Sequence, residues 1–318
     1  MFYNCINLKG RIPDDFFGGL GEDDDGNTVG LGLKPYIVNL GFDASICSSL
    51  DTYAYNKSMS LGAFANTQIT TYSTNTFKYM PKLTNISYLF AQADTKLDID
   101  NVETINGKQT CKMYVFNKQL DSNRICFSGI YDTAAALEEE ERITTTLSSG
   151  MFEGCNSIVK IAGAFMGTRV RHIEAPLQVS NEYRFFGQSQ DSITDISLLF
   201  SNSNLAPQED PTKNDGLPLL LTHFSEKNNI SHANYTFSNT KINSFDFIAR
   251  WNKLVSIEGM FANCDALQSV EIPQNLFTNL TDLQNTSFSF ANTPITTIGD
   301  PELSQYNFDH ILITFYNA

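Results

Sequence analysis

The stretch Phe261–Thr293 decides the fold, because its end repeats its beginning. It reads FANCDALQSVEIPQNLFTNLTDLQNTSFSFANT, so the phrase Phe-Ala-Asn-Cys at residue 261 returns as Phe-Ala-Asn-Thr at residue 290. A segment that ends by restarting indicates a repeat protein, in which neighbouring units stack and bury one continuous core.

The same phrase, an aromatic residue followed by Asn or Gly and then Cys, Thr or Ser, recurs along the chain. Its other copies begin at Phe2, Phe64, Phe90, Phe116, Phe152, Phe165, Phe200, Phe237 and Phe315. In the most regular parts, consecutive phenylalanines are 24 to 29 residues apart, within the range of roughly 20–29 residues for leucine-rich repeats. The Asn or Gly predicts a tight turn closed by local backbone hydrogen bonds.

An apolar segment follows most copies of the phrase. Its last two apolar positions are two residues apart, as in Leu267, Val270 and Ile272 or in Val170, Ile173 and Ala175. A spacing of two predicts a short strand with one buried face. A single strand per unit cannot bury that face alone, so we expect successive strands to pair in parallel, with the phenylalanines in the layer behind them.

Residues Phe261 to Pro273 resemble the BspA-like (Treponema pallidum-type) leucine-rich repeats, whose pattern is aromatic-x-x-Cys-x-x-Leu-x-x-Ile-x-Ile-Pro. Residues 1–13, 151–161 and 168–176 match it in part, and other units carry Thr, Ser or Ala in place of the cysteine. The resemblance implies a leucine-rich-repeat solenoid over residues 1–318, with one short parallel strand per unit and an irregular or short helical convex side. It also implies a non-enzymatic surface scaffold of the kind found on bacterial cell surfaces and in phage virions.

The composition supports a folded, acidic protein. The 318 residues are 42% hydrophobic and carry a formal net charge of −14, from 21 basic and 35 acidic side chains. Such an excess disfavours nucleic acid and anionic membrane surfaces as partners, because both attract clustered Lys and Arg. No apolar run reaches the roughly 18–20 residues that span a bilayer, so membrane insertion is not predicted.

Both ends of the sequence fall inside the repeat phrase, and neither supplies the polar cap that repeat arrays need. We therefore expect a segment of a longer chain, or ends that partner chains cover. Three stretches interrupt the repeat, near residues 14–60, 117–148 and 204–233. Within them, residues 36–40 are predicted to form a strand, residues 134–142 a helix and residues 204–233 a long loop. Cys5, Cys155 and Cys264 share one repeat position, which favours small buried side chains over disulfides.

The predicted binding surface is the row of residues that flank the middle apolar position of each strand. Their side chains point outward and, once stacked, form a polar stripe suited to hydrogen bonding with a glycan or a protein. The members of this strand-face stripe are Thr71, Ser73, His172, Glu174, Ser244, Asp246, Ser269, Glu271 and Thr297. The asparagines of the repeat phrase are instead predicted to be structural.

No catalytic residue, metal site or cofactor is predicted. The chain has no His-Glu-x-x-His, Gly-x-Ser-x-Gly or phosphate-loop motif, and the acidic run at residues 22–25 lacks the spacing of a calcium loop. Paired carboxylates of the kind that hydrolyse glycosides need only spatial proximity, so the enzyme hypothesis stays open.

Three functions follow as hypotheses. The favoured one is an extracellular recognition or adhesion module that binds a host receptor or glycan from a virion tail, spike or fibre, or from a bacterial surface. The second is a structural segment whose repeats pack against other chains of a large assembly. The third is an enzyme built on the scaffold, which requires a cleft with converging titratable groups.

Overall fold

We analysed a computed structural model of the chain. The structure describes residues 9–12, 16–18, 21–22, 28–29, 32–41, 62–65, 67–72, 76–91, 102–105, 108–111, 117–119, 124–126, 145–147, 149–168, 170–176, 184–207, 215–227, 229–268, 271–273 and 276–298.

A single column of stacked phenylalanine rings runs through the core. Neighbouring rings lie 5.4 to 6.3 Å apart between centroids, with interplanar angles of 9° to 17°. The column consists, in order, of Phe64, Phe90, Phe165, Phe200, Phe237, Phe261 and Phe290. We call the chain from one stacked phenylalanine to the next a unit.

Backbone hydrogen bonds join the units along this column. The N–H of Phe200 donates to the C=O of Thr236 at 3.0 Å, and the N–H of Phe237 donates to the C=O of Met260 at 3.0 Å. In each case the acceptor is the residue before the stacked phenylalanine of the next unit. Parallel bridges earlier in each unit extend the ladder, through Asp195, His232, Ser256 and Asn285. Adjacent units therefore run in the same direction, side by side.

The approaches to Phe90 and Phe261 have an apolar residue at every third position. The side chains of Phe77, Met80, Leu83, Ile86 and Leu89 are fully buried before Phe90. The same spacing recurs before Phe261, at Ile248, Trp251, Leu254, Ile257 and Met260. Hydrogen bonds between residues three apart bend the chain repeatedly, for example from the N–H of Leu254 to the C=O of Trp251 at 3.0 Å. A period of three thus places one side chain of every turn in the core.

Three described strand pairs are parallel. β1 (Lys9–Ile12) pairs with β4 (Gln68–Tyr72), β9 (Thr145–Leu147) with β10 (Val170–Ile173), and β11 (Glu271–Ile272) with β12 (Thr297–Ile298). Of these strands, β4, β10, β11 and β12 each follow a stacked phenylalanine. The remaining described pairs are antiparallel: β2 (Gly21–Glu22) with β3 (Thr28–Val29), β5 (Val102–Ile105) with β6 (Lys108–Cys111), and β7 (Asn117–Gln119) with β8 (Arg124–Cys126).

The copies of the repeat phrase are not all equivalent. Phe152 and Phe165 belong to one unit, and only Phe165 joins the column. Phe152 instead packs in a second aromatic layer, 6.1 Å from Phe77 and 5.8 Å from Phe186. Phe90 stacks directly on Phe165, and Phe116, whose copy of the phrase falls between them in the sequence, lies outside the described residues.

Residues 204–233 are not a long loop, because they contain the α-helix α1 (Leu217–Lys227). Its apolar residues recur at helical spacing and are buried, at Leu217, Leu220, Leu221 and Phe224. Pro218 stands in the first turn, where a missing backbone N–H costs nothing. A carboxylate oxygen of Asp215 accepts the N–H of Leu217 at 2.9 Å. Pro218 is therefore compatible with the start of this helix.

Residues 36–40 are also not a strand. Pro35 lies in a short 3-10 helix, Lys34–Tyr36, and only Asn39 forms a bridge, parallel to Asn85. The helix predicted at residues 134–142 lies outside the described residues.

Cys155 and Cys264 are buried and free, so the prediction of small buried side chains is confirmed for these two. Burial raises the pKa of each thiol to about 11. Cys5 lies outside the described part of the chain. In the part that the structure covers, no helix has the length and apolarity needed to cross a membrane.

Candidate functional site

The strand segments that carry the predicted stripe are connected from unit to unit. The N–H of Ala206 donates to the C=O of Arg171 at 2.9 Å, and the N–H of Lys241 donates to the C=O of Leu205 at 2.8 Å. The ladder continues from Gln268 to Asn243 at 3.1 Å and then through the β11–β12 pair. The backbone thus fixes the relative positions of stripe residues from β10 to β12.

The described stripe residues lie at the surface. Exposed members are Glu174, Ser244, Asp246, Glu271 and Thr297, and His172 is half-buried. Thr71 lies in β4 opposite Arg11 of β1, and its side chain is outside the description. Ser73 and Ser269 lie outside the described residues.

One part of the stripe departs from strand geometry. A 3-10 helix, Asp246–Arg250, begins where the sequence predicts the strand to continue, with Asp246 in its first turn. The hydroxyl of Ser244 accepts the N–H of Asp246 at 3.4 Å, as residues at helix starts do. Phe245 and Ile248 are fully buried, so the helix keeps its apolar side in the core while Ser244 and Asp246 stay exposed.

The described charged residues of the stripe are acidic. Glu174, Asp246 and Glu271 are exposed carboxylates on three different units. Carboxylates, hydroxyls and an imidazole along a fixed backbone can accept hydrogen bonds from hydroxyl or cationic groups of a partner. The surface offers several weak contacts in a row, as repeat proteins do when they bind extended partners.

A second polar row, which was not predicted from the sequence, lies in the segments that precede the stacked phenylalanines. There, an Asn or Asp five residues before the phenylalanine accepts the N–H two residues later. The bonds run from Ser87 to Asn85 at 2.9 Å, from Ser197 to Asp195 at 2.8 Å and from Ser287 to Asn285 at 3.0 Å. The recurring Asn/Asp-x-Ser, five residues before a phenylalanine, is the signal that could have revealed this row.

Neighbouring units also bind one another through this second row. Where Ser256 occupies the Asn/Asp position, the amide oxygen of Asn234 in the preceding unit accepts both the Ser256 hydroxyl at 2.6 Å and the N–H of Glu258 at 3.0 Å. The Glu258 carboxylate accepts the Tyr235 hydroxyl at 2.5 Å and the amide of Asn285 at 3.0 Å. These groups satisfy each other, so this row holds units together.

Four of the phrase asparagines have a left-handed backbone, which fits the structural role predicted for them. Asn202, Asn239, Asn263 and Asn292 all have φ between 53° and 60°, the left-handed region that asparagine tolerates better than most residues. The amide of Asn292 also donates to the amide oxygen of Asn263 in the neighbouring unit, at 2.9 Å.

The described residues contain no group of three or more His, Cys, Asp or Glu side chains arranged to hold a metal ion. Comparison with known proteins gave no match to a family model, to a curated protein or to a solved structure.

Proposed function

We propose that the chain is a leucine-rich-repeat solenoid of the BspA-like kind and acts as a non-enzymatic recognition or adhesion module. In this proposal the strand-face stripe binds a protein or glycan surface outside the cell, from a virion or from a bacterial surface. The proposal requires no catalytic residue, metal or cofactor.

The observation that carries the proposal is the contrast between the two polar rows. Side chains of the second row bind each other across units, as Asn234 and Glu258 do. The stripe carboxylates Glu174, Asp246 and Glu271 are more exposed than Asn234 and Glu258, and their backbone is fixed from unit to unit. A rigid, exposed row of acceptors loses little conformational entropy on binding, which favours recognition of an extended partner.

The test is a binding assay with charge reversals on the stripe. Labelled protein is applied to a printed array of neutral and charged glycans and to intact bacterial cells. Asp246→Lys and Glu271→Lys should each weaken binding to whichever surface the stripe recognises, by about tenfold, because each substitution removes a hydrogen-bond acceptor for the partner's hydroxyl or cationic groups.

Asp282→Lys is the matched control, because Asp282 is equally an exposed aspartate but lies outside the stripe. It should bind as the native protein does. All three variants should have the same urea midpoint of unfolding as the native protein. Equal loss in the control, or a native protein that binds none of the surfaces, would contradict the proposal.

A structural segment within a large assembly is the second candidate, and exposed apolar side chains favour it. Leu33 is 59% exposed, Val38 50% and Tyr79 55%, which suits packing against a neighbouring chain. Native mass spectrometry of the protein isolated from its source distinguishes the two. Complexes that survive purification favour the scaffold, and a free chain favours the recognition module.

A further inference from the structure

The segment before Phe64 and the first two units carry aromatic and basic side chains on one face. Three segments lie side by side there: residues 33–41, 79–85 and 154–160. The N–H of Thr84 donates to the C=O of Val38 at 2.9 Å, and the N–H of Lys160 donates to the C=O of Thr84 at 3.1 Å. The hydroxyl of Ser157 donates to the C=O of Pro81 at 2.7 Å.

The side chains that this face exposes are Tyr36, Val38, Tyr79, Lys82 and Lys160, which we call the tyrosine–lysine face. Tyr36 is 64% exposed and Tyr79 is 55% exposed, which is unusual for residues of this size. The three segments contain no Asp or Glu, although the chain has 35 acidic residues. Glu153, which precedes Gly154 in the sequence, is paired with Lys78 at 2.8 Å. The face is therefore locally basic on an acidic protein.

Both tyrosine rings are held in place. The Lys82 ammonium lies 5.7 Å from the centroid of the Tyr36 ring. Tyr79 has a φ of 60° and donates its N–H to the C=O of Glu153 at 2.8 Å. Its ring packs over Gly154, where an added Cβ would lie 2.7 Å from Cδ1 of Tyr79. The rings need little further ordering to receive a ligand.

We propose that the tyrosine–lysine face binds an acidic polysaccharide, a chain of sugars that carry carboxylates. Exposed aromatic rings offer flat apolar surfaces to the C–H faces of sugar rings, and the ammonium groups of Lys82 and Lys160 attract the carboxylates. The net negative charge of the protein does not cancel this local attraction, because exposed charges are screened beyond about 8 Å at physiological ionic strength. An acidic peptide would satisfy the lysines but would leave the two rings without flat partners.

This inference deepens the proposed recognition function by naming a ligand class. It uses a different face from the strand-face stripe, so the two can fail separately. If Asp246→Lys leaves polysaccharide binding intact and Tyr36→Ala abolishes it, this inference stands whatever the outcome of the stripe assay.

The experiment measures binding of polygalacturonate and of oligosialic acid by biolayer interferometry, at about 150 mM salt. Fully methyl-esterified polygalacturonate, which keeps the rings but loses the charges, is the matched probe. Polyglutamate tests the acidic-peptide alternative. The native protein should bind at least one acidic polysaccharide, and esterification should weaken that binding by about tenfold or more.

Variants then assign the contacts. Tyr36→Ala and Lys82→Gln should each weaken binding about tenfold, whereas Tyr36→Phe and Lys82→Arg should retain it. Lys253→Gln is the control, because Lys253 precedes Leu254 as Lys82 precedes Leu83, at the same repeat position several units away. It should bind like the native protein.

Three outcomes would overturn the inference. They are no binding of either polysaccharide, equal binding of the esterified polymer, and binding of polyglutamate alone. Equal loss in Tyr36→Phe and Tyr36→Ala would also overturn it, because the ring would then contribute nothing.

Discussion

At the scale of single residues, large side chains with left-handed backbone are concentrated in one column, two positions before the stacked phenylalanine. The large residues at this position have φ between 56° and 62°, and they are Tyr88, Leu198, Tyr235 and Phe288. In two other units the same position is occupied by Gly163 and Gly259. Such a backbone costs about 1–2 kcal/mol per non-glycine residue. Each tyrosine lies over the glycine of the next unit, so the column depends on large and small residues in neighbouring units.

Gly259→Ala should therefore destabilise the protein by about 2–4 kcal/mol, because the φ is +58° and the new Cβ would lie 1.9 Å from Cε1 of Tyr235. Urea denaturation followed by circular dichroism measures the change. Gly150→Ala is the control, because its Cβ would meet the flexible ends of two side chains, Lys78 at 3.2 Å and Glu153 at 3.5 Å. Similar midpoints for the two variants would show that the tyrosine–glycine contact is not formed.

The buried thiol of Cys264 predicts a pH dependence of stability. Burial raises its pKa from 9.0 to about 11 in the folded protein, so the folded state holds the proton more tightly than the unfolded state. The contribution of this thiol to the free energy of unfolding is then fully present below about pH 9 and is lost as the pH rises from about 9 to 11.

Cys264→Thr isolates this effect, because threonine occupies the same position in other units and does not titrate. Thr240 and Thr293 donate their hydroxyls to the C=O of Phe237 and Phe290, each at 2.7 Å. The free energy of unfolding, measured in urea at pH 8 and pH 10, should fall less in the variant than in the native protein. Identical falls would mean that the thiol is accessible in the folded protein.

At the scale of elements, the phenylalanine column is the main apolar connection between units. Phe237 is buried and contacts Phe200 at 6.3 Å and Phe261 at 6.1 Å. Phe237→Ala should cost about 3–5 kcal/mol, because it removes contacts with two units at once. Chemical denaturation measures it.

Phe16→Ala serves as the comparison for this substitution. Phe16 is 36% exposed and packs at the edge of the aromatic layer, 5.7 Å from Phe64. Its loss should cost about 1 kcal/mol. A larger loss for Phe16→Ala than for Phe237→Ala would exclude the column as the centre of the core.

The sequence predicted the parallel strands and the recurring phenylalanine, because these follow from local periodicity. It failed where two periods overlap. The apolar residues before Phe90 and Phe261 recur every three positions. Successive turns produce this spacing, whereas a strand or an α-helix does not. Phe90 stacks on Phe165 although a long stretch of sequence separates them, and no local spacing can reveal that contact.

The candidate site was predictable to a similar degree. That Glu174 and Glu271 are exposed follows from alternation along the strand segments, whereas Asp246 is exposed at the start of a 3-10 helix. The second polar row depends on pairing between units, for example of Asn234 with Ser256. The tyrosine–lysine face depends on the packing of residues 33–41 against the first two units. Residue spacing within any single segment therefore does not indicate this face.

In the whole molecule, the units stack one on another, and each unit contacts chiefly its neighbours. Stability should then behave as a sum over units and the interfaces between them. A whole unit should be removable without loss of the fold, since its two neighbours present the same ladder and the same stacked ring.

Deletion of residues 238–261 tests this directly, because it joins Phe237 to Ala262 and restores the phrase Phe-Ala-Asn-Cys. Urea unfolding of this variant should remain a single cooperative transition. Deletion of residues 238–249 removes half a unit and should abolish cooperative unfolding, because the next phenylalanine loses its place in the column. Equal behaviour of the two deletions, whether both fold or both fail, would contradict the stacked-unit account.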